Sequence, residues 1–449
     1  MGAGIPVQFS RWAVSPAGQL QLLLALAIAL GGGGVAYGLR NLAINLAALL
    51  LLMLQRELVW RFMREAPRTL VALVLLTLML PLLQLVPMPA GMWQQLPGRE
   101  PVVAAFAIAG IPAESWFPLS LDRGRTLTAF LGLLAPAAIV VVGANLGREH
   151  KAATARFAAL AALAALMLGI FQLSTANTAA LLFPIIAKPD VMYASFANRN
   201  STAALFALAL LLLAGAPWWK NRAALLIATM GAGLLVLGAV LTQSRSGIVL
   251  LVLALAFAGL RAVVAALARR KGGDGAPRPV WIAGLLVAVL VAAAALASAA
   301  MGGRAADSLD RFGDTETDRP EMWEDAAFAA REYWPVGSGM GTFDEVFQLH
   351  ESLEYVSPRR AGRAHSDWLE IVIEAGAFGI TLVLGWLLWC GWAALRAPAH
   401  WRWTAFAAGT GVLALALQSL LDYPLRSQTL LCFAAVLVVL LAQRRTSRA

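Results

Sequence analysis

The sequence predicts an all-α polytopic membrane protein of about twelve transmembrane helices, and three observations carry that reading. Hydrophobic residues make up 60% of the 449 positions and charged residues 13%, about half the roughly 25% charge of globular proteins. The apolar residues fall in long blocks instead of on one face of each helix. Basic residues gather in alternate segments between the blocks. A soluble core cannot hide so much apolar surface, so lipid must be its solvent, and the chain reads as one integral membrane domain over 1–449.

The blocks run approximately over 18–38, 40–55, 69–87, 125–144, 157–173, 201–217, 223–242, 247–265, 280–300, 368–390, 403–420 and 427–442. Gly31 to Gly34 loosen the end of the first, and the second is the shortest. Positive charge supplies orientation. If the N-terminus is cytoplasmic, the segments on that side carry twenty Lys and Arg, from Arg11 to Arg448. Outside the loop 301–367, the opposite side carries eight: Arg40, Arg99, Arg123, Arg125, Lys188, Arg199, Arg245 and Arg426. Both termini are therefore expected in the cytoplasm, and apolar helices recurring throughout the chain argue against a cleaved signal peptide. The net charge of +10 is spread over short loops, so topology explains it and nucleic acid is not an expected partner. Cys390 and Cys432 lie inside predicted spans as packing residues, with no disulfide framework or metal-type spacing.

Two outer segments stand out, 88–124 and 301–367. In the second, Asp318 can cap a helix, Pro320 suits its first position and Pro335 stops it. Met322, Trp323, Ala326, Ala327, Ala330 and Trp334 form a helical stripe, giving an amphipathic helix over about 320–334. It is expected either to lie on the membrane, to cap a cavity or simply to pack on the bundle.

Chemistry concentrates at the same boundary. Arg199 stands in Asn198-Arg199-Asn200 at the entry to the sixth block, and Arg245 in Ser244-Arg245-Ser246 in the tight turn before the eighth. His365 stands in Ala364-His365-Ser366-Asp367 where the long loop enters the tenth. A guanidinium is costly at membrane depth and binds phosphate bidentately. Two near the headgroup level suit a lipid diphosphate, although snorkelling to the interface explains either one alone. The partial positive charge of a helix start opposes a second one on the imidazole, leaving a lone pair for general-base work. Asp367 or Glu370 is expected to orient the ring, while Ser366 and Asp367 are equally ordinary caps. Glu374 is an intramembrane acid without an evident partner.

Other candidates are weaker. Gly337-Ser338-Gly339-Met340-Gly341 has phosphate-loop glycines without the preceding strand or following Lys-Ser/Thr, and reads as a flexible turn. Asp307, Asp310, Asp314, Glu316 and Asp318 lack a calcium-loop glycine and closing glutamate. His150 and His400 read as interface residues, and His350 has no recognisable companion. No cofactor is expected.

In order, Asn198-Arg199-Asn200, Ser244-Arg245-Ser246, Arg319-Pro320 through Trp323, Pro335, Gly337, Gly339 and His365 resemble the O-antigen ligase and polymerase superfamily. Glu374-Ala375-Gly376 with Gly379, Leu96-Pro97-Gly98-Arg99, Pro118-Leu119-Ser120-Leu121 and Asp422-Tyr423-Pro424-Leu425 fit the same pattern. One departure is Gln418, where relatives often carry histidine before the aspartate. The resemblance implies a GT-C-like bundle in the bacterial inner membrane and a metal-independent, inverting glycosyltransferase with its active site facing the periplasm. The donor would be a glycan on undecaprenyl diphosphate. The acceptor would be lipid A–core in lipopolysaccharide biosynthesis, or another lipid-linked repeat in O-antigen or exopolysaccharide polymerisation. By position, His365 would take the acceptor proton, and Arg199 and Arg245 would hold the diphosphate, with Arg319 a weaker candidate for that work. Protein transferases of the superfamily usually carry a C-terminal periplasmic domain, and an end at Ala449 favours the other two activities. The competing class is a twelve-span transporter or lipid-linked oligosaccharide flippase. Its two similar halves and midplane charges are not evident here.

Overall fold

The computed structural model describes residues 11–34, 37–183, 185, 187–216, 222–271, 319–354 and 362–443. The expected span 280–300 and the acidic run from Asp307 to Asp318 lie outside them. The described chain is a helical bundle with one small ribbon, β1 (Pro87–Met88) antiparallel to β2 (Phe117–Pro118). Its helices are α1 (Pro16–Leu30), α2 (Gly38–Leu54), α3 (Arg56–Glu65), α4 (Arg68–Gln84), α5 (Ala90–Trp93) and α6 (Glu100–Ile108). There follow α7 (Arg123–Gly132), α8 (Leu134–Ala144), α9 (Arg148–Ser174), α10 (Arg199–Gly215), α11 (Arg222–Leu241) and α12 (Arg245–Lys271). The last are α13 (Arg319–Glu332), α14 (Phe343–Phe347), α15 (Asp367–Leu395), α16 (Arg402–Gln418) and α17 (Gln428–Leu441).

Among the described residues, six stretches are long and apolar enough to cross a membrane: Pro16–Gly33, Arg123–Ala144, Arg148–Ser174, Ala223–Leu241, Arg245–Ala265 and Asp367–Leu395. α2 and α3 pass only together, bent by 77°. The count of about twelve is therefore not confirmed among the described residues. The expected blocks around α4, α10, α16 and α17 included flanking coil. The helices themselves have 17, 17, 17 and 14 residues, and 17 residues rise only ~26 Å against a hydrocarbon core of ~30 Å.

α10 forms the axis of the bundle. Every residue from Ser201 to Leu213 is buried, as expected of a helix apolar on all sides. Hydrogen bonds fix which helix ends meet. At one end, the Ala197 amide donates to Gly32 O at 3.1 Å, the Met192 amide to Leu241 O at 3.0 Å, and the Asp367 amide to Asp422 O at 3.2 Å. At the other, Lys151 Nζ donates to Ala442 O at 2.6 Å and Thr404 Oγ1 to Gly215 O at 2.9 Å. The starts of α10, α12 and α15 thus share the first end. α1 stops at Leu30 and passes into a 3-10 turn, Gly31–Gly33. A Cβ on Gly32 would lie 1.8 Å from Ser195 O, so only glycine admits the segment leading to α10.

α13 packs on α15 through a stripe that keeps Met322, Ala326 and Ala330 of the expected one and ends on Tyr333 in place of Trp334. Ala326, Ala329, Ala330 and Tyr333 are buried against Phe343, Val346, Phe347, Ala364 and Ile373, whereas Trp334 is 47% exposed. The helix ends at Glu332, so Trp334 has already left its helical face. His350, expected to stand alone, has ring neighbours: Phe328 at 5.6 Å and Tyr333 at 5.7 Å.

The glycine run after α13 is not a flexible turn. Its amides are engaged: Gly337 N donates to Tyr333 O at 2.8 Å, Ser338 N to Ile373 O at 2.9 Å and Gly339 N to Glu374 O at 2.9 Å. Met340 N donates to Gln84 Oε1 at 2.8 Å. With four amides spent this way the run cannot cradle a phosphate. It instead fills a kink in α15, where Gly376 has φ +54° and a Cβ would stand 2.0 Å from Pro335 O. Arg99 fixes the first outer segment to the same place, donating to Pro97 O at 3.0 Å, Leu119 O at 2.6 Å and Gly337 O at 3.2 Å. Burial lowers its pKa to about 10 with Tyr333 acting against the shift, so it remains a cation at neutral pH.

Gly376→Ala should lower the thermal midpoint of the protein in nanodiscs, by the equivalent of more than ~1 kcal/mol, because both backbone sign and space are wrong. Gly391→Ala on the same helix, with nothing within 4 Å of its Cβ, should leave it unchanged or raise it. Equal midpoints for the two variants would contradict this account of the kink.

Candidate active site

Each expected residue of the site opens, or immediately precedes, a helix at the same end of the bundle. Arg199 is the first residue of α10 and Arg245 the first of α12, and both are half-buried. Arg319 is the first residue of α13, and its side chain lies outside the described residues.

Asn198 caps α10, its Oδ1 accepting from the Asn200 amide at 2.9 Å. Ser244 plays the equivalent part for α12, its Oγ accepting from the Gly247 amide at 3.0 Å. The two caps are tied together, because Ser244 Oγ also donates to Asn200 Oδ1 at 2.8 Å. A third segment joins them: Gln418 Nε2 donates to Asn200 O at 3.0 Å. The residue standing in place of histidine thus anchors the last hairpin to the start of α10. Two arginines head adjoining helices, and the positive ends of two helix dipoles meet there.

His365 is held from both sides. Trp323 Nε1 donates to Ala364 O at 2.8 Å, and the Ala364 amide donates to Glu370 Oε1 at 3.0 Å. Ser366 caps α15 by accepting from the Leu369 amide at 3.4 Å, and its Oγ donates to Ser419 O at 3.2 Å. His365 itself has φ +50°, a left-handed conformation that costs ~1–3 kcal/mol and persists where surrounding contacts impose it.

The carboxylate beside the ring comes from neither Asp367 nor Glu370. It is Asp422, 1% exposed, with Oδ1 3.8 Å from His365 Nδ1. That is outside hydrogen-bond range. Asn198 Nδ2 approaches both oxygens of Asp422 at 3.4 Å. Tyr423 meets the imidazole edge-on at 5.0 Å, and burial, then Asp422, push its phenol up to about 12. It is a neutral wall. The chain Asn198, Asp422, His365 joins three sequence motifs whose side chains the sequence alone does not connect.

The expected orienters serve another purpose. Asp367, Glu370 and Glu374 share a face of α15 and converge on Arg426, at 3.5, 3.0 and 2.8 Å. Arg363 reaches Glu370 at 3.0 Å. Glu374 therefore has its partner, supplied by the hairpin before α17. Asp367 Oδ2 also accepts from Ser419 Oγ at 2.9 Å and from the Leu425 amide at 3.0 Å. This network locks the hairpin carrying Asp422 against the start of α15.

Bundle and site together define a multi-pass α-helical membrane protein with a polar centre at one end of its helices. Residues 230–384 match the family model described as O-antigen ligase, and this segment belongs to the O-antigen ligase and polymerase superfamily that the motifs resemble. The family is one of membrane glycosyltransferases acting on lipid-linked glycans. The matched segment includes Arg245 and His365, while Arg199, Asp422 and Arg426 are joined to it by the contacts above. No curated protein matches the chain.

Arg426→Met should destabilise the protein by ~3–5 kcal/mol, because it takes the shared cation from three buried carboxylates, of which only Glu370 keeps another, Arg363. The double variant with Glu374→Gln should regain part of the loss. Thermal unfolding in nanodiscs reads both, and an unchanged midpoint for the single variant would mean that the cluster does not hold the hairpin.

Proposed function

We propose that the protein is an inverting, metal-independent glycosyltransferase that moves a glycan from undecaprenyl diphosphate to an acceptor hydroxyl at the periplasmic face, as an O-antigen ligase or polymerase. The observation that carries this reading is the Asn198, Asp422 and His365 constellation, at the end of the bundle where Arg199 and Arg245 head adjoining helices.

In this reaction His365 is the general base. Asp422 faces Nδ1, so Nε2 is the nitrogen left for substrate, and Asp422 stabilises the imidazolium that forms. As Nε2 takes the hydroxyl proton, the acceptor oxygen bonds to the anomeric carbon and the bond to the diphosphate oxygen breaks. The electron pair leaves with undecaprenyl diphosphate, whose growing charge Arg199 and Arg245 hold. A diphosphate leaving group makes the step independent of ATP. Orientation with this end towards the periplasm rests on the distribution of positive charge.

In vesicles supplied with lipid-linked donor and candidate acceptors, His365→Ala should lower transfer by ~10²–10⁴-fold while donor still binds. Asp422→Asn should lower kcat by at least ~10-fold and change its pH profile, because the ring loses its negative neighbour. Arg199→Ala and Arg245→Ala should weaken donor binding itself. Full turnover by the histidine variant, or transport of lipid-linked glycan without transfer, would defeat the proposal. In a deletion strain, loss of chain elongation would identify a polymerase, and long lipid-linked chains that never reach lipid A would identify a ligase.

A further inference from the structure

We propose that α3 is an interfacial helix that holds anionic phospholipids of the leaflet opposite the His365 site, with Trp60 and Met63 at the acyl-chain boundary and Arg56, Arg64 and Arg68 on the phosphates. The partner is a lipid surface and not a substrate, and the inference stands apart from the glycosyltransferase reading.

Position comes first. α3 (Arg56–Glu65) leaves α2 at Gln55 with a bend of 77°. Two hydrogen bonds place it at the end of the bundle away from His365. Gln55 Nε2 donates to Gln19 Oε1 at 2.9 Å near the start of α1, and Asn145 Nδ2 donates to Leu58 O at 2.9 Å just before α9. This is the end that the excess of Lys and Arg assigns to the cytoplasm. With α2 crossing the bilayer, a helix turned so far runs close to the membrane plane.

At about 100° per residue, α3 divides into three faces. Leu58, Val59 and Phe62 share one and pack on the bundle core, Phe62 being 1% exposed. Glu57, Arg61 and Glu65 share the second, where Arg61 pairs with Glu65 at 2.7 Å. Between these faces lie Met63, Arg56, Trp60 and Arg64. Trp60 is 66% exposed and Met63 43%, and Arg56, Arg64 and the following Arg68 are exposed too. Among the described residues these three guanidiniums enter no ion pair, in contrast to Arg61.

Charge and polarity select the occupant. Over residues 55–68, four arginines stand against Glu57 and Glu65. An indole flanked by guanidiniums on an in-plane helix suits the headgroup level, where the ring dips into acyl chains and the arginine forks take phosphate oxygens. Water would leave Trp60 and Met63 unburied, and hydrocarbon would leave three cations without counter-charge. The apolar edge also continues the exposed stripe of α2, formed by Leu42, Leu46, Leu50 and Met53. Cationic side chains at this depth favour anionic over zwitterionic lipid.

Two measurements test this. The full chain in detergent is titrated with phosphatidylglycerol and with phosphatidylcholine, and binding is read by native mass spectrometry. Phosphatidylglycerol should bind more tightly. Arg56→Gln, Arg64→Gln and Arg68→Gln together should weaken it by roughly fivefold per arginine and leave phosphatidylcholine unmoved. The same change at Arg148, Arg396 and Arg402, exposed at the same end, should matter far less. An equal loss from this control set would mean that the end is merely basic, and no loss from the first set would mean that α3 holds no lipid. Either result overturns the proposal. Depth is read separately. Cys390 and Cys432 are buried, so a thiol-reactive fluorophore on Trp60→Cys reports that edge. In vesicles it should be quenched by lipid brominated near the head of its acyl chains and be shielded from aqueous iodide, while one on Arg61→Cys should meet iodide. Iodide access at position 60 would put the edge in water, and shielding from both quenchers would give it to a protein neighbour; each outcome overturns the proposal. Glycan transfer enters neither measurement, so this inference and the enzymatic reading fail separately.

Discussion

The meeting of Arg426 with Asp367, Glu370 and Glu374 is the constraint on which the rest of this end of the molecule depends. Charges taken out of water carry a desolvation cost of several kcal/mol each, recovered only where geometry and hydrogen bonding are good. Here Arg426 is within 3.5 Å of three carboxylates, and Asp367 takes two further hydrogen bonds from the hairpin. An apolar contact tolerates sliding; a multidentate ionic one does not. The cluster therefore fixes the register of the hairpin on α15, and with it the position of Asp422 relative to His365. The same stretch of α15 presents the Glu374 carbonyl to Gln84 and Gly339, so the outer segments are indexed to the same point.

Around that anchor the arginine helices are joined by neutral hydrogen bonds. Asn200 receives Ser244 on its side chain and Gln418 on its carbonyl, linking α10, α12 and the hairpin. Neutral partners suit this position. They fix the two helix starts relative to each other and to the hairpin. Asp422 is met by the Asn198 amide group.

Much of this was legible from the residues. Long apolar blocks announced helices, Gly31 to Gly34 announced the break after α1, and flanking polar turns marked Arg199, Arg245 and His365 as helix starts. What was not legible depends on pairing across the bundle. The Asp422 hairpin was visible as a motif, but nothing local says that its carboxylate faces His365 while Asp367, two residues away from the histidine, turns to Arg426. Glu374 lacked a partner because Arg426 comes from another helix junction. The span count is not confirmed among the described residues, because hydropathy averages over coil, whereas crossing depends on the helical rise of residues actually wound. The glycine run deceived for a related reason: its composition permits a phosphate loop, and only tertiary contacts decide that its amides are spent on α15.

The dispersal of the site over four segments has a consequence for the proposed catalysis. His365 occupies a strained backbone conformation imposed by Trp323 before it and by Ser419 and Asp422 after it. These neighbours come from two parts of the chain, the loop helix and the last hairpin, and both grip the backbone on either side of the ring. A base displaced by an ångström loses a large part of its effect, so contacts remote from the reacting atoms are converted into rate through position. Assembly of the bundle end and competence of the histidine are then the same event. In the proposed reaction, a segment that failed to dock would leave the general base misplaced.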